Sequence, residues 1–374
     1  MIFKLRVICL FSFLFLLSGC VWYSPERLCN FPVHKIDDID VTGEISPEPL
    51  FMGINVNSFA IVDTFLLSYN VREPRFVSVY SLNTGEELGT YCRHGRGPDE
   101  ILVMMPFFQP DSRADSIAIF DAATSLLRFW NLQTSISEQR DTFSSSIQLN
   151  NGRGAHMSAL SMYKLDSHRV LTYDTFQGQV ASLPDVPRYR IFNYKTGEQL
   201  DSILCFNKVP LKHNLKTNLP STSIMSHASC LDYRHQSLFM AMNKFPLVSV
   251  LNLETGKTEG FLLKGLPPQD DKVPRYYFSS ATATENFVYC LYFGGEQRNF
   301  LPLTVEEEKM RNEKSTLFVF DWGGTLCAKY QLDDVYERCQ VFHDNLYLSK
   351  MSLVSSGLYK LPLSELNFNK TTPN

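Results

Sequence analysis

The chain has little of what marks most metal sites, hydrolases and nucleic-acid binders. Beyond residue 20 it carries seven cysteines, Cys29, Cys92, Cys205, Cys230, Cys290, Cys327 and Cys339, an odd number with no C-x-x-C pair. Spacing of the metal-ligand kind is therefore absent. There is no G-x-S-x-G, which removes a nucleophile elbow. H-E-x-x-H, the EF-hand pattern and G-K-[ST] are missing too. The eight histidines are dispersed, with His227 and His235 flanking a strand start. Charged residues make up only 20% of the chain and the formal charge is −4. That modest acidity argues against nucleic acid as a partner. No cofactor motif remains. Helical periodicity is scarce, and no run after the first twenty residues is long and apolar enough to span a bilayer, which takes ~20 residues.

What is present begins at the N-terminus. Lys4 and Arg6 precede an apolar run, Val7 to Leu17, broken only by Ser12. A basic start followed by a short apolar run reads as a secretory signal over residues 1–19. It ends in Leu17-Ser18-Gly19-Cys20, which resembles the lipobox of bacterial lipoproteins. That resemblance implies cleavage before Cys20 and lipid on its thiol and new amino group. Several acyl chains on one cysteine suffice to hold a protein at a membrane. Losing Lys4 and Arg6 takes the formal charge from −4 to −6. Residues 20–32 read as a tether. An oxidising compartment leaves room for one or two disulfides, but settings such as "VYCLYF" around Cys290 favour buried thiols.

A repeat sets the architecture. "VYSLNTG" ending at Gly85, "FWNLQTS" at Ser135, "IFNYKTG" at Gly197 and "VLNLETG" at Gly256 share one pattern, and "VFDWGG" at Gly324 is a shorter fifth copy. Each is an apolar strand, a small polar residue, one more apolar residue and a polar turn, which reads as a hairpin. Thr84, Thr134, Thr196 and Thr255 lie 50, 62 and 59 residues apart. The longer fifth interval holds a charged insert, Glu306 to Arg311, read as a surface loop or short helix. Upstream of the turns lie six apolar strands at Phe59–Val62, Ser116–Phe120, Arg169–Tyr173, Ser237–Ala241, Phe287–Leu291 and Asn345–Ser349. Gly357–Leu361 is a sixth hairpin partner. Six four-stranded antiparallel blades follow: an all-β, six-bladed β-propeller over residues 33–365, with 366–374 as a tail. A β-sandwich pair and a seven-bladed ring are the alternatives. Lys35–Val41 is expected to supply the last blade's outer strand and so bury two free edges. Asp37, Asp38 and Asp40, interleaved with Ile36, Ile39 and Val41, read as a solvated strand edge rather than a calcium site.

The stretch "RHGRGPDE", Arg93 to Glu100, follows the first repeat's outer strand and precedes the apolar start of the next. Gly95 and Gly97 permit backbone conformations closed to other residues, a pre-proline Gly97 fits positive φ, and Pro98 restrains it. Asp99 or Glu100 can accept the N–H bonds such a turn leaves unpaired. For Arg93, His94 and Arg96 two readings stay open: solvated side chains, or an anion or sugar site at the mouth of the ring. Tyr276 and Tyr277, in "PRYYF", read either as a sugar-stacking platform or as packing of an inner strand.

The motif Gly95-x-Gly97-Pro98-x-Glu100 after a strand, then an apolar segment and "SIAIFD", resembles the TolB-like six-bladed propeller lipoproteins of Bacteroidetes. With the hairpins and the lipobox, the resemblance covers nearly the whole chain. It implies a propeller and an exported lipoprotein, and no established reaction. Val21-Trp22-Tyr23-Ser24 lacks the acidic run associated with surface export in that group, which implies the periplasmic side of the outer membrane. The expected function is a binding or scaffold module without turnover, taking a protein or glycan ligand. The alternative is a glycan- or lactone-directed hydrolase or lyase, its site gathered from several blades at one mouth of the central channel.

Overall fold

In the computed structural model, residues 25–367 are described, apart from 55, 57, 71–73, 106–112, 151–158, 175–187, 208–224, 233, 235, 268–273, 301–303, 351 and 353–355. Cys20 lies outside them. They form six sheets around a ring. Blade 1 is Ser58–Val62, Phe65–Tyr69, Arg75–Ser81 and Glu87–Arg93; blade 2 is Met104–Met105, Ile117–Asp121, Leu126–Trp130 and Phe143–Gln148. Blade 3 is Ala159–Lys164, Arg169–Asp174, Arg188–Asn193 and Gln199–Ile203; blade 4 is His227–Asp232, Ser237–Met242, Leu247–Asn252 and Thr258–Leu263. Blade 5 is Phe278–Ala283, Phe287–Tyr292, Thr316–Asp321 and Leu326–Leu332. Blade 6 takes Arg338–Phe342, Asn345–Lys350 and Gly357–Pro362 from the end of the chain. Among the described residues no helix is long and apolar enough to cross a membrane.

The repeated pattern is the third strand of each blade and its turn to the fourth. Asn193 and Asn252 accept the N–H of Thr196 and Thr255 through their side chains. Gly197 then takes φ 76° with its N–H on the carbonyl of Asn193. The same turn docks on the preceding blade: a Cβ on Gly197 would stand 1.9 Å from the backbone oxygen of Gln148 in blade 2. Blade 2 departs from the expected hairpin because Ser135 fills the glycine position. Asn131 still caps Thr134, but the chain runs on as a helix, Leu132–Glu138. Ser135 is buried, and Trp130 donates its indole N–H to the Ser135 hydroxyl. The charged insert folds as a short helix, Val305–Met310, with a capping box between Thr304 and Glu307. One upstream strand is also reassigned. Phe59–Val62 belongs to the innermost strand of blade 1, whereas the other five are second strands.

Closure of the ring corrects the expectation for Lys35–Val41. The fourth strand of blade 6 is Glu48–Met52, antiparallel to Gly357–Pro362. The earlier segment is a strap instead. Val33–Ile36 adds a parallel fifth strand to Thr258–Leu263 of blade 4, and Gly43–Ile45 does the same for Leu326–Leu332 of blade 5. Lys35 and Ile36 are taken up by parallel pairing with Leu262 and Leu263, which leaves Glu48–Met52 to continue the antiparallel blade. Between the strap strands Asp37 meets Lys264 at 2.8 Å and Asp38 meets Lys329 at 2.7 Å.

The core is divided by the blades. Six apolar clusters each span one pair of neighbours, for example Leu171 with Leu238 between blades 3 and 4. Ile61 and Leu66 of blade 1 pack with Tyr347 and Leu358 of blade 6 at the junction of the two chain ends.

Candidate functional site

Neighbouring innermost strands fan around the axis, and side chains bridge their backbones. Ser280 accepts the N–H of Cys339 at 3.0 Å, and Thr282 accepts that of Val341 at 2.9 Å. Gln340 reaches the blade junction, accepting the N–H of Ile61 at 2.8 Å and donating to its carbonyl at 3.0 Å. Tyr163 donates to the carbonyl of Ser229 at 2.7 Å. The inner strand of blade 5 is built largely from Ser, Thr and Ala, "FSSATA" at Phe278–Ala283. Small residues do not fill the axis, and a cavity of about 500 Å³ runs along it. Blades 1, 3, 4, 5 and 6 all contribute to its wall. That volume lies in the range of small-molecule sites.

The ionisable groups on this wall are mostly committed to protein partners. Asp232 accepts the N–H of Arg234 at 2.9 Å. Arg234 makes a two-pronged pair with Glu285, its Nη1 donating at 2.7 Å. His227 has its ring against Tyr173, Tyr189 and Phe206. Nδ1 donates to the carbonyl of Met225 and Nε2 accepts from the Tyr189 hydroxyl. Loss of water around the ring pulls its pKa down to about 4. The neutral imidazole is thus fixed as one tautomer. Arg338 is different. It is exposed and faces the cavity, with no carboxylate partner among the described residues.

The "RHGRGPDE" loop lies between blades 1 and 2. Its backbone is tied on every side. Glu100 accepts the N–H of Gly97 at 2.8 Å, and Ile101 donates to the carbonyl of Arg93 at 2.9 Å. Neither Gly95 nor Gly97 has positive φ, contrary to the expectation for Gly97. The left-handed residue is Cys92, φ 62°, whose N–H is held by Asp141. Gly95 gives the Glu100 carboxylate its room: a Cβ there would lie 1.9 Å from Oε2 and would have to displace that side chain. The organiser that sequence reading missed is Arg128. It is buried in blade 2 and donates to the carbonyls of Pro98 and Glu100 at 2.7 and 3.1 Å. A lone arginine in the apolar strand "LLRFW" was the available signal. Of the loop's cations, Arg93 pairs with Glu100 at 3.3 Å and His94 lies edge-on to Phe76. Arg96 is exposed.

Tyr276 and Tyr277 lie between blades 4 and 5, across the ring from that loop, so the two sets of candidates are not brought together. Tyr277 is fully buried, its hydroxyl donating to the Pro267 carbonyl at 2.8 Å. It belongs to the core rather than to a ligand platform. Tyr276 stacks on Phe300 at 4.6 Å, and the Lys244 ammonium lies 5.4 Å from its ring centre. Every described cysteine is a free thiol, and only Cys327 is not buried. Among the described residues, no three His, Cys, Asp or Glu side chains are grouped to hold a metal ion.

The profile of a family described as "TolB-like 6-blade propeller-like" matches residues 50–344. The chain matches none of the curated proteins. Its fold is similar to that of a DUF4221 family member from Bacteroides vulgatus, with 11% identity, 84% of this chain and 96% of that chain covered, and a TM-score of 0.59. A putative exported protein from Bacteroides fragilis aligns at 11% identity over 89% of this chain and 99% of that one, with a TM-score of 0.47. At such identities the likeness concerns the fold alone.

The loop geometry predicts a coupled pair. Gly95→Ala displaces the Glu100 carboxylate and leaves the Gly97 N–H unpaired, a loss of about 1–3 kcal/mol. Glu100→Ala loses the same bond. The double variant is expected to be no less stable than Glu100→Ala alone, as a double-mutant cycle by chemical denaturation reads directly. Additive losses would mean that Gly95 is needed for another reason.

Proposed function

We propose a function for this chain, which belongs to the TolB-like 6-blade propeller-like family: it is a lipid-anchored binding module of the cell envelope, with its ligand site in the ring's axial cavity. The supporting observation is the state of the cavity wall. Asp232 and Glu285 are held by Arg234, and His227 is locked between Tyr189 and Met225. A general acid or base must be within reach of substrate and able to exchange its proton. Groups so engaged favour capture over turnover, and a broad propeller with a ligand-sized cavity suits capture. The alternative of a glycan- or lactone-directed enzyme needs a carboxylate or imidazole that is uncommitted at the same wall.

Cys20 ties this reading to a place. Lipid on its thiol would hold the ring at the membrane through the segment that leads into the strap, on the periplasmic side of the outer membrane. Cys20→Ala is expected to leave the membrane fraction or to block normal processing; a variant that still fractionates with membranes after normal cleavage refutes the anchor. For the site, a panel of soluble oligosaccharides is incubated with the protein, with thermal shift and product analysis read together. The expected result is stabilisation without new reducing ends or unsaturated products. Ala281→Phe, which fills the cavity from blade 5, should abolish the shift while the protein keeps its fold. Turnover of any panel member, or a shift that survives Ala281→Phe, overturns the reading.

A further inference from the structure

The two ends of the cavity are electrostatically unequal. Arg234 lies at the turn after the innermost strand of blade 4, beside two carboxylates, Asp232 and the Glu285 it pairs with, so this end carries no excess positive charge. Arg338 opens the innermost strand of blade 6 and borders the same cavity with no ion pair among the described residues. The nearest acid in sequence, Glu337, does not offset it. That side chain is 6% exposed, and burial pushes its carboxyl up to about 8 despite the neighbouring Arg338 and Arg311 charges, with Glu308 adding to the rise. Burial thus favours its protonated, uncharged form. Asp334, the other acid nearby, is taken by Arg311 and Lys350.

From this asymmetry we infer that the cavity takes a small organic anion, with its carboxylate or phosphate on Arg338 and a hydroxylated body along the Ser and Thr wall. A guanidinium is a planar fork that two oxygens of either group can engage. The rest of the wall fits a sugar-like body. Hydroxyls come from Ser58 and Ser161, and apolar surface from Phe59 and Trp322. Blades 3 and 6 face each other across the ring, so Ser161 stands opposite Arg338. An uncompensated cation bordering a cavity attracts an anion that enters it, moderated by the water that reaches the exposed Arg338.

The inference rests on the cavity being the binding site, and the experiment separates the two. Glucuronate, glucose 6-phosphate and glucose are titrated calorimetrically into the wild-type protein, Arg338→Gln, Ala281→Phe and a charge-matched surface control, Arg140→Gln. At least one anion is expected to bind the wild type about tenfold or more tighter than glucose, and the preferred one tells carboxylate from phosphate. Arg338→Gln should bring the anions to the level of glucose, Arg140→Gln should change nothing, and Ala281→Phe should abolish all binding. Anions that bind no tighter than glucose, or equally to Arg338→Gln, overturn the inference; loss of glucose binding in Ala281→Phe then still supports the cavity as the site. Binding unchanged by Ala281→Phe overturns both, and the absence of binding by all three probes overturns the inference.

Discussion

The backbone ladder between Glu48–Met52 and Gly357–Pro362 decides whether these six sheets form a ring or an open array. An open array would leave the third strand of blade 6 as an exposed edge and blade 1 without its neighbour, and such edges are templates for aggregation. With the ladder formed, Phe51 packs beside the Gly85 turn of blade 1, and Ile61 and Leu66 meet Tyr347 and Leu358. The same junction is pinned at the axis by Gln340, whose amide satisfies both backbone groups of Ile61. The chain ends are thus sealed at the rim by backbone and at the centre by a side chain. The strap upstream carries the chain along the outer edges of blades 4 and 5 before it reaches the ladder.

Closure also explains the cavity. Blades converge on the axis, where space is least, and the inner strand of blade 5 there carries Ser, Thr and Ala after its first residue. Those hydroxyls bond across blades, as Ser280 and Thr282 do to blade 6. What they cannot do is fill the axis. The residues that make the ring closable therefore leave a polar-walled space of ligand size. Surface ion pairs at its rim, such as Arg234–Glu285, contribute only about 0–1 kcal/mol to stability. Their effect is on the field inside: one end sets Asp232 and Glu285 against Arg234, and the other keeps the charge of Arg338.

The blade count and the third-strand turns were legible in the sequence, because a turn with an Asn side-chain cap and a glycine leaves a local signature at Asn193–Gly197 and Asn252–Gly256. The helix at Leu132–Glu138 was not, since one change, Ser135 for glycine, diverts an otherwise matching motif. The closing strand was misplaced by two elements. Lys35–Val41 alternates as well as any strand, whereas Glu48–Met52 contains Pro49, and only the register against Gly357–Pro362 distinguishes them. In the loop, the close approach of Glu100 to Gly95 is a three-dimensional fact, and sequence reading replaced it with a conformational one. The cavity was least legible. Its wall is assembled from five strands spread over most of the chain, and Arg338 carries no motif to mark it. The hydroxyl-rich strand Phe278–Ala283 ahead of the apolar Phe287–Tyr292 was the one available hint.

The central claim is that the ring is closed by a strand from the segment before the first blade. Native-state hydrogen exchange on the full chain tests it most directly. The account predicts that the amides of Glu48–Met52 facing Gly357–Pro362 exchange only with the cooperative opening that also exposes Leu247–Asn252, in the middle of blade 4. Exchange of those amides through a low-energy local opening, while blade 4 stays protected, would contradict it.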